Sequence, residues 1–232
     1  MDQPRGPPRP PQSAEPKRAV IQCRFHIRSH SLSATGTETS LVHNHVYRLS
    51  IRRGAFDRCM HWLVSWLPRA VQGLKALPPA WCLPPKIVLK KLKPDWDDEF
   101  ANESRMYARM KPLQGSVIPI YYGEARCDDG TPALILSDVG GIPLFEDEVF
   151  AMEEKRLEGM VEEAFSAMVS FGVQYDDLKL DNLHLVGDRI VILDLENAEA
   201  LNSPAERAIE LEVGEIMDLW KYYRRNRERN RE

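Results

Sequence analysis

Two polar segments that interrupt apolar runs late in the chain constrain the fold more than any other feature. The first, residues 173–182, reads Val-Gln-Tyr-Asp-Asp-Leu-Lys-Leu-Asp-Asn and lies between an apolar run that ends at Phe171 and another at residues 183–186. An acidic, lysine-containing segment is poor core material, so its polar groups need another use. The second segment, residues 189–196, predicts a strand that ends in Asp194.

The order of residues in these segments resembles two motifs of the protein kinase-like superfamily. Asp177 is followed by Leu-Lys and, five positions after the aspartate, by Asn182, as in the family's H-R-D-L-K-x-x-N catalytic loop. Tyr175 stands where that loop has its histidine. Asp194 stands at the aspartate of D-F-G, with Leu-Glu after it in place of Phe-Gly. The two motifs together are far more specific than either alone.

The resemblance implies a role for each of these polar side chains. Asp177 would be the catalytic base that orients the acceptor hydroxyl, and Lys179 would steady the transferring phosphate. Asn182 and Asp194 would bind Mg²⁺, and ATP would be the phosphoryl donor. Phosphoryl transfer depends on positioned charge more than on covalent chemistry, so these residue types suit it.

A lysine-bearing strand is predicted at residues 87–92, directly after the break made by Pro84 and Pro85. The strand resembles the V-A-I-K strand of kinases, with Lys90 in the place of the lysine that holds the α- and β-phosphates. Lys91 would point to the opposite face of the strand and is the alternative.

The helix that follows, predicted at residues 95–111, supplies a partner for that lysine. Glu103 matches the glutamate that orients the strand lysine in kinases, and Glu99, one turn earlier, is the alternative. A lysine on a central strand is costly to bury without an opposite charge. We therefore expect the side chains of Lys90 and Glu103 to meet.

A hairpin and a hinge are predicted next. Asp128-Asp129-Gly130 is a strong turn signal between apolar segments at residues 117–122 and 133–136. Residues 137–141, Ser-Asp-Val-Gly-Gly, resemble the hinge between the two lobes of a kinase. The resemblance implies that the backbone of Ser137 and Val139 binds adenine.

The N-terminal part predicts two strands, at residues 19–28 and 41–51, because apolar and polar residues alternate there. The Ser- and Thr-rich residues 29–40 between them are interpreted as a loop. The family has a Gly-rich phosphate loop at this place, but G-x-G-x-x-G is absent here. The hydroxyl residues around Gly36 are left with two interpretations, a phosphate-binding loop or an ordinary hairpin loop.

Three further helices are predicted from apolar periodicity and end signals. The segment 55–77 reads as a helix that caps the sheet, with a membrane-surface helix as the alternative. The segment 146–170 reads as one helix that Gly172 ends. The last begins at the capping box of Ser203 to Glu206 and runs to about Tyr223, and residues 224–232 should fray.

Composition excludes several classes of function. The chain has 232 residues, 43% hydrophobic and 28% charged, and its net charge of −4 gives no reason to expect nucleic acid as the main partner. Four scattered cysteines read as reduced thiols, and no apolar segment is long enough to span a bilayer. His43 and His45 would share a strand face, but no cysteine or carboxylate completes a metal site. We expect a cytoplasmic or nuclear monomer.

The predicted fold class is α+β: a bilobal protein kinase-like fold, with an antiparallel N-lobe sheet and helix and a compact, truncated helical C-lobe. The predicted domains are a disordered Pro-rich leader at residues 1–17, the N-lobe at 18–136 with an inserted helix at 55–77, the hinge at 137–141, the C-lobe at 142–223 and a frayed basic tail at 224–232. A polyproline ligand at residues 7–11 is the alternative for the leader.

The predicted function is ATP-dependent transfer of the γ-phosphate to a hydroxyl of an unknown protein or small-molecule acceptor. The short remainder after Asp194 and its Leu-Glu ending are closer to aminoglycoside- and choline-type phosphotransferases, and residues 78–218 resemble uncharacterised kinase-like proteins of filamentous fungi. Two alternatives remain: a pseudokinase that acts as a nucleotide-binding or scaffold module, and an unrelated fold.

Overall fold

The computed structural model describes residues 20–39, 45–66 and 83–230. The predicted leader, the end of the predicted helix 55–77, the histidine at position 43 and the last two residues lie outside this range. The described part is an α+β structure with a β-rich N-terminal part and a largely helical C-terminal part. No helix among the described residues is both long enough and apolar enough to cross a membrane.

Six antiparallel strands close into a barrel in the N-terminal part. The strands are β1 (Ile21–Ile27), β2 (His30–Glu38), β3 (Val46–Arg52), β4 (Lys86–Lys91), β5 (Tyr121–Cys127) and β6 (Pro132–Ser137). Their order around the barrel is β1-β2-β3-β4-β6-β5, and β1 closes it by pairing Phe25 with Cys127. Gly130, with φ of 83°, completes the predicted turn between β5 and β6.

The prediction of a loop at residues 29–40 is wrong, because residues 30–38 form β2. The chain turns tightly at Arg28 instead. Leu32 and Ala34 are buried in the barrel and alternate with exposed or half-buried serines, which is a strand period that the hydroxyl-rich composition concealed. Gly36 pairs with Leu49, and a Cβ there would lie 1.9 Å from the Arg48 carbonyl oxygen. This glycine permits close strand contact, so neither loop interpretation holds for it.

The described residues form five helices. They are α1 (Ala55–Ser65), α2 (Asp97–Arg109), α3 (Asp147–Phe150), α4 (Glu154–Ser170) and α5 (Ala205–Arg229), with a 3₁₀ turn at Lys111–Leu113. The helix predicted over residues 146–170 is therefore two helices. One continuous helix would place Glu153 in the buried stripe between Val149 and Leu157, and the break leaves it exposed. Gly172 ends α4 with φ of 66°, as expected.

The last helix differs from its prediction at both ends. It begins at Ala205 after Pro204, without a side-chain cap hydrogen bond, so the predicted capping box is not formed. It continues to Arg229 through residues expected to fray. Arg227 pairs with Asp147 of α3 and lies 5.0 Å from the centre of the Phe150 ring, so tertiary contacts extend the helix.

Two small sheets carry the polar segments. The first has the order β10-β9-β7 and contains β7 (Ile142–Pro143), β9 (Leu183–Val186) and β10 (Arg189–Ile192). The second pairs β8 (Val173–Tyr175) with β11 (Ala198–Ala200). The segment that resembles a catalytic loop therefore lies between β8 and β9, and Asp194 lies just after β10.

Candidate functional site

Lys90 is the centre of a buried charged cluster. Its Nζ lies 2.8 Å from Glu103 Oε2, 2.6 Å from Asp194 Oδ1 and 3.1 Å from Glu196 Oε2, and its side chain is only 8% exposed. We call these four residues the Lys90 cluster. They come from β4, α2 and the segment after β10, so the cluster joins the barrel to the C-terminal part.

The ionisation of the cluster follows from burial and charge. Burial alone would lower the pKa of Lys90, but the three carboxylates raise it above its ordinary value. Burial favours a protonated Asp194, yet the nearby Lys90 lowers the pKa of that carboxyl overall. Burial raises the pKa of Glu103 despite the opposing effect of Lys90. Lys90 therefore stays charged and is held among oxygen atoms.

The structure decides between the alternatives that the sequence left open. Lys91 points to the other face of β4 and its Nζ binds Asp129 Oδ2 at 2.8 Å. Glu99 is one turn from Glu103 on α2 and lines the cavity that opens next to Asp177. The expected contact is thus made by Lys90 and Glu103.

The predicted catalytic loop brings its polar side chains together. Asn182 Nδ2 donates to Asp177 Oδ2 at 2.9 Å, and Lys179 Nζ lies 2.7 Å from Asp177 Oδ1. The Leu193 amide donates to the Asn182 carbonyl at 2.9 Å, which brings Asp194 to the same edge as the loop. Carboxylate and side-chain amide oxygens are common ligands of Mg²⁺, so the chemistry of Asp194 and Asn182 is compatible with the ion.

Glu196 is a cluster member that sequence reasoning missed. Its Oε1 accepts from Lys93 Nζ at 2.6 Å while its Oε2 faces Lys90. The carboxylates of Glu103, Asp194 and Glu196 offer oxygen atoms that all lie within 4.8 Å of one another, a second set able to hold a cation. The sequence signal that could have pointed to Glu196 is the Leu-Glu pair after Asp194, which stands where the kinase-like motif has Phe-Gly.

Glu212 is a second residue that sequence reasoning missed. Its Oε1 accepts from the backbone amide of Tyr175 at 2.6 Å, just before the catalytic loop, and burial raises its pKa to about 7. The signal was its position in an otherwise apolar stripe of α5, since Ala208, Ile216 and Trp220 share its i, i+4 spacing and are buried. A polar residue in such a stripe needs a partner.

The predicted hinge is a connection with two glycines of positive φ, at 63° and 72°. The Ser137 amide already donates to the Ile120 carbonyl at 2.9 Å. Asp138 Oδ1 lies 3.1 Å from Arg48 Nε, and His184 Nδ1 donates to the Gly140 carbonyl at 3.0 Å. Contacts from both parts of the molecule therefore meet at residues 137–141.

The start of β3 lies beside Lys90. Val46 pairs with Lys90, and the Lys91 amide donates to the His45 carbonyl at 2.8 Å. The turn between β1 and β2 lies at the opposite end of the barrel, because antiparallel pairing places Arg52 and Lys86 there. The turn between β1 and β2 therefore does not lie beside Lys90. Residues 40–44 of the β2–β3 connection lie outside the described range.

An acidic cavity of about 510 Å³ opens next to Asp177. It lies between α2 and the catalytic-loop segment. Its lining residues are Asp98, Glu99, Asn102, Arg105, Asp176, Asp177, Glu196, Asn197 and Glu199. A molecule in this cavity would approach Asp177 from the side of α2.

The chain is similar to solved structures of known proteins. No protein-family profile matches the chain, and no curated protein matches it. Among solved structures, the chain is similar to the kinase domain of PknI from Mycobacterium tuberculosis, with 16% identity and a TM-score of 0.45. The likeness covers 78% of this chain and 65% of that domain, so the chain spans less than two thirds of the domain it matches.

Proposed function

We propose that this protein is an ATP-dependent phosphotransferase of the protein kinase-like superfamily that transfers the γ-phosphate to a hydroxyl acceptor. The observation that carries the proposal is the convergence of two groups distant in sequence. Lys90 contacts both Glu103 and Asp194 within 3 Å, and Asp194 follows the residue that pairs with Asn182. Charge arranged in this way suits phosphoryl transfer.

Lys90 would bind the α- and β-phosphates of ATP. Glu103 holds the lysine side chain in place, and the raised pKa of Lys90 keeps it protonated. When bound, Mg²⁺ would supply further positive charge to the phosphates. Asn182 and Asp194 would hold it, and the backbone at Ser137 and Val139 would bind the adenine.

Asp177 would accept the proton of the acceptor hydroxyl. Asn182 and Lys179 contact its two carboxylate oxygens and so fix its orientation. Lys179, which is exposed, would move from Asp177 to the transferring phosphate. The acceptor would reach Asp177 through the acidic cavity beside it. Whether the acceptor is a protein or a small molecule is decided by groups that the motifs do not specify.

We also propose a domain arrangement, an oligomeric state and a location for the protein. Residues 18–136 and 142–223 would act as two lobes about the hinge 137–141. The protein would work as a monomer, in the cytoplasm or nucleus, without nucleic acid as a partner. Each is independent of the chemistry at Lys90.

Nucleotide binding with and without Mg²⁺ tests the proposal directly. Thermal unfolding should show stabilisation by ATP that depends on Mg²⁺. Asp194→Asn should remove the metal-dependent part. Asp177→Asn should leave ATP affinity within about twofold, because the base acts on the acceptor, but abolish release of phosphate from ATP to water. Asp188→Asn, at an exposed position after β9 and outside the cavity, is the matched control.

The outcomes separate the two functions that the motifs allow. Metal-dependent binding together with phosphate release that Asp177→Asn abolishes supports the phosphotransferase. Binding without any transfer, and without an effect of Asp177→Asn, supports the nucleotide-binding pseudokinase instead. The absence of nucleotide binding would refute both.

A further inference from the structure

The ion pair between Arg48 and Asp138 joins two strands that are not neighbours. Arg48 lies on β3, and Asp138 directly follows β6. In the barrel, β4 separates these two strands. The contact of 3.1 Å between Arg48 Nε and Asp138 Oδ1 must therefore cross a face of β4.

The register shows which face the ion pair crosses. Arg48 pairs with Val88, and Val88 pairs with Leu136. Val88 and Leu136 pack in the larger core outside the barrel, whereas Leu49 and Leu89 fill the barrel interior. Arg48 thus crosses β4 on the outer face, the face that also carries Lys90, two residues after Val88.

A second planar side chain reaches the same connection from the C-terminal part. His184 lies on β9, and its Nδ1 donates to the Gly140 carbonyl, two residues after Asp138. Burial lowers the pKa of His184, and the charge of Arg48 adds to this effect. The imidazole is therefore neutral near pH 7, so it does not repel the guanidinium.

A nucleotide bound at Lys90 and at residues 137–141 would lie near both side chains, since the charge of Arg48 acts on His184. If its phosphates lie at Lys90 and its base at residues 137–141, the base lies beside Val88, on the outer face of β4. Arg48 reaches this region from the barrel through its ion pair with Asp138. His184 reaches it from the C-terminal part through its hydrogen bond to Gly140. A guanidinium is planar and weakly hydrated and stacks well on aromatic rings.

We propose that Arg48 and His184 determine base specificity by holding a purine base between guanidinium and imidazole, with Asp138 orienting the guanidinium plane. This inference rests on the proposed function. Stacking depends on ring area more than on the pattern of donors and acceptors. Purine nucleotides should therefore bind more tightly than cytosine nucleotides.

Calorimetric titration of the full chain with Mg²⁺ complexes of ATP, CTP and tripolyphosphate tests the inference. Arg48→Ala should weaken ATP about tenfold and CTP by less, because one stacking partner is lost. Tripolyphosphate has no base and should bind the variant as it binds the wild type. The Arg48 side chain is 49% exposed, so the variant should fold, which its thermal unfolding checks.

Arg48→Lys is the matched control for charge. Lysine keeps a cation that can pair with Asp138 but has no planar group. Under the proposal, this variant loses ATP affinity as Arg48→Ala does. An affinity equal to that of the wild type would show that only the ion pair matters and would overturn stacking.

Three other results would overturn the inference while leaving the proposed function intact. Arg48→Ala could leave ATP affinity unchanged, weaken ATP and tripolyphosphate equally, or tighten ATP binding because the ion pair blocks the site. Wild-type protein that binds ATP no better than tripolyphosphate would also overturn it. Wild-type protein that binds neither would refute the proposed function itself.

Discussion

The two hydrophobic cores of the molecule differ in what borders them. The barrel interior is built from apolar residues and one buried thiol, with Phe25, Leu49 and Leu89 among the most buried. The larger core lies between the barrel, α2 and the C-terminal helices. Among the described residues, the buried charged or amide side chains are Lys90, Glu103, Asn182, Glu196 and Glu212, and none belongs to the barrel interior.

The barrel interior therefore serves stability, whereas the charged groups that chemistry needs lie at the border of the larger core. A closed barrel satisfies its backbone groups through strand pairing, so its interior needs no polar side chain. The larger core meets the ends of several elements, where charged groups can be buried only if they find partners. The candidate site lies at that border. Four changes, from the largest expected effect to the smallest, test this division.

Lys90→Met should have the largest effect on stability. It leaves three carboxylates without their shared cation, which should lower the unfolding free energy by about 3–5 kcal/mol at pH 8. The loss should be smaller at pH 5, because protonation relieves the repulsion between the carboxylates. Urea unfolding at the two pH values measures both effects.

Lys91→Met is the control on the other face of β4. Its partner Asp129 is largely exposed, so the change should cost about 0–1 kcal/mol at either pH. Equal losses for the two lysine variants would contradict the division between the faces of this strand.

Gly36→Ala tests packing between barrel strands. The new Cβ would lie 1.9 Å from the Arg48 carbonyl oxygen, so β2 and β3 must separate, at a cost of about 2–4 kcal/mol. Gly159→Ala in α4 is the opposite case, because nothing lies within 4 Å of its Cβ. That change should stabilise by about 0.5–1 kcal/mol. A tolerated alanine at position 36 in chemical unfolding would argue against this barrel register.

Glu212→Gln tests a buried charge in the larger core. Burial raises the pKa of Glu212 from 4.5 to about 7, so the folded state binds its proton more tightly than the unfolded state. Its contribution to stability is present below about pH 4.5 and is lost as the pH rises to about 7, a fall of roughly 3 kcal/mol. The variant should lack this fall.

The measurement is the unfolding free energy between pH 4 and pH 8. Glu210→Gln, on the exposed side of the same helix, should keep the pH dependence of the wild type. If Glu212→Gln keeps it as well, Glu212 does not carry this dependence.

Arg227→Ala should have the smallest effect. Its contacts with Asp147 and Phe150 are partly exposed, so their loss should cost about 0.5 kcal/mol and mainly loosen the end of α5. Hydrogen exchange at residues 224–229 should become faster. Arg225→Ala, whose guanidinium binds the Lys221 carbonyl of its own helix, should leave the exchange unchanged. Similar hydrogen-exchange rates in both variants would show that the contacts with α3 do not extend the helix.

The sequence predicted the structure well where a single strand or helix carries both the apolar repeat and the charged residue. The strand with Lys90, the helix with Glu103 and the hairpin that ends in Asp194 were all predicted near their observed places. Periodicity chooses the faces of a strand or helix, so it could also place Lys91 opposite Lys90. The motif spacing brought Asp177 and Asn182 together for the same local reason.

The features that depend on strand register and on contacts between distant segments were decided only by the tertiary structure. The sequence by itself determined an α+β chain with a charged lysine strand and an acidic loop. It did not show that β2 is a strand, that β1 closes the barrel on β5, or that Glu196 and Glu212 turn inward. It also did not show that Arg48 crosses β4 to reach Asp138. Pairing between segments far apart in the chain is selected by the burial of all of them together, and no single segment records it.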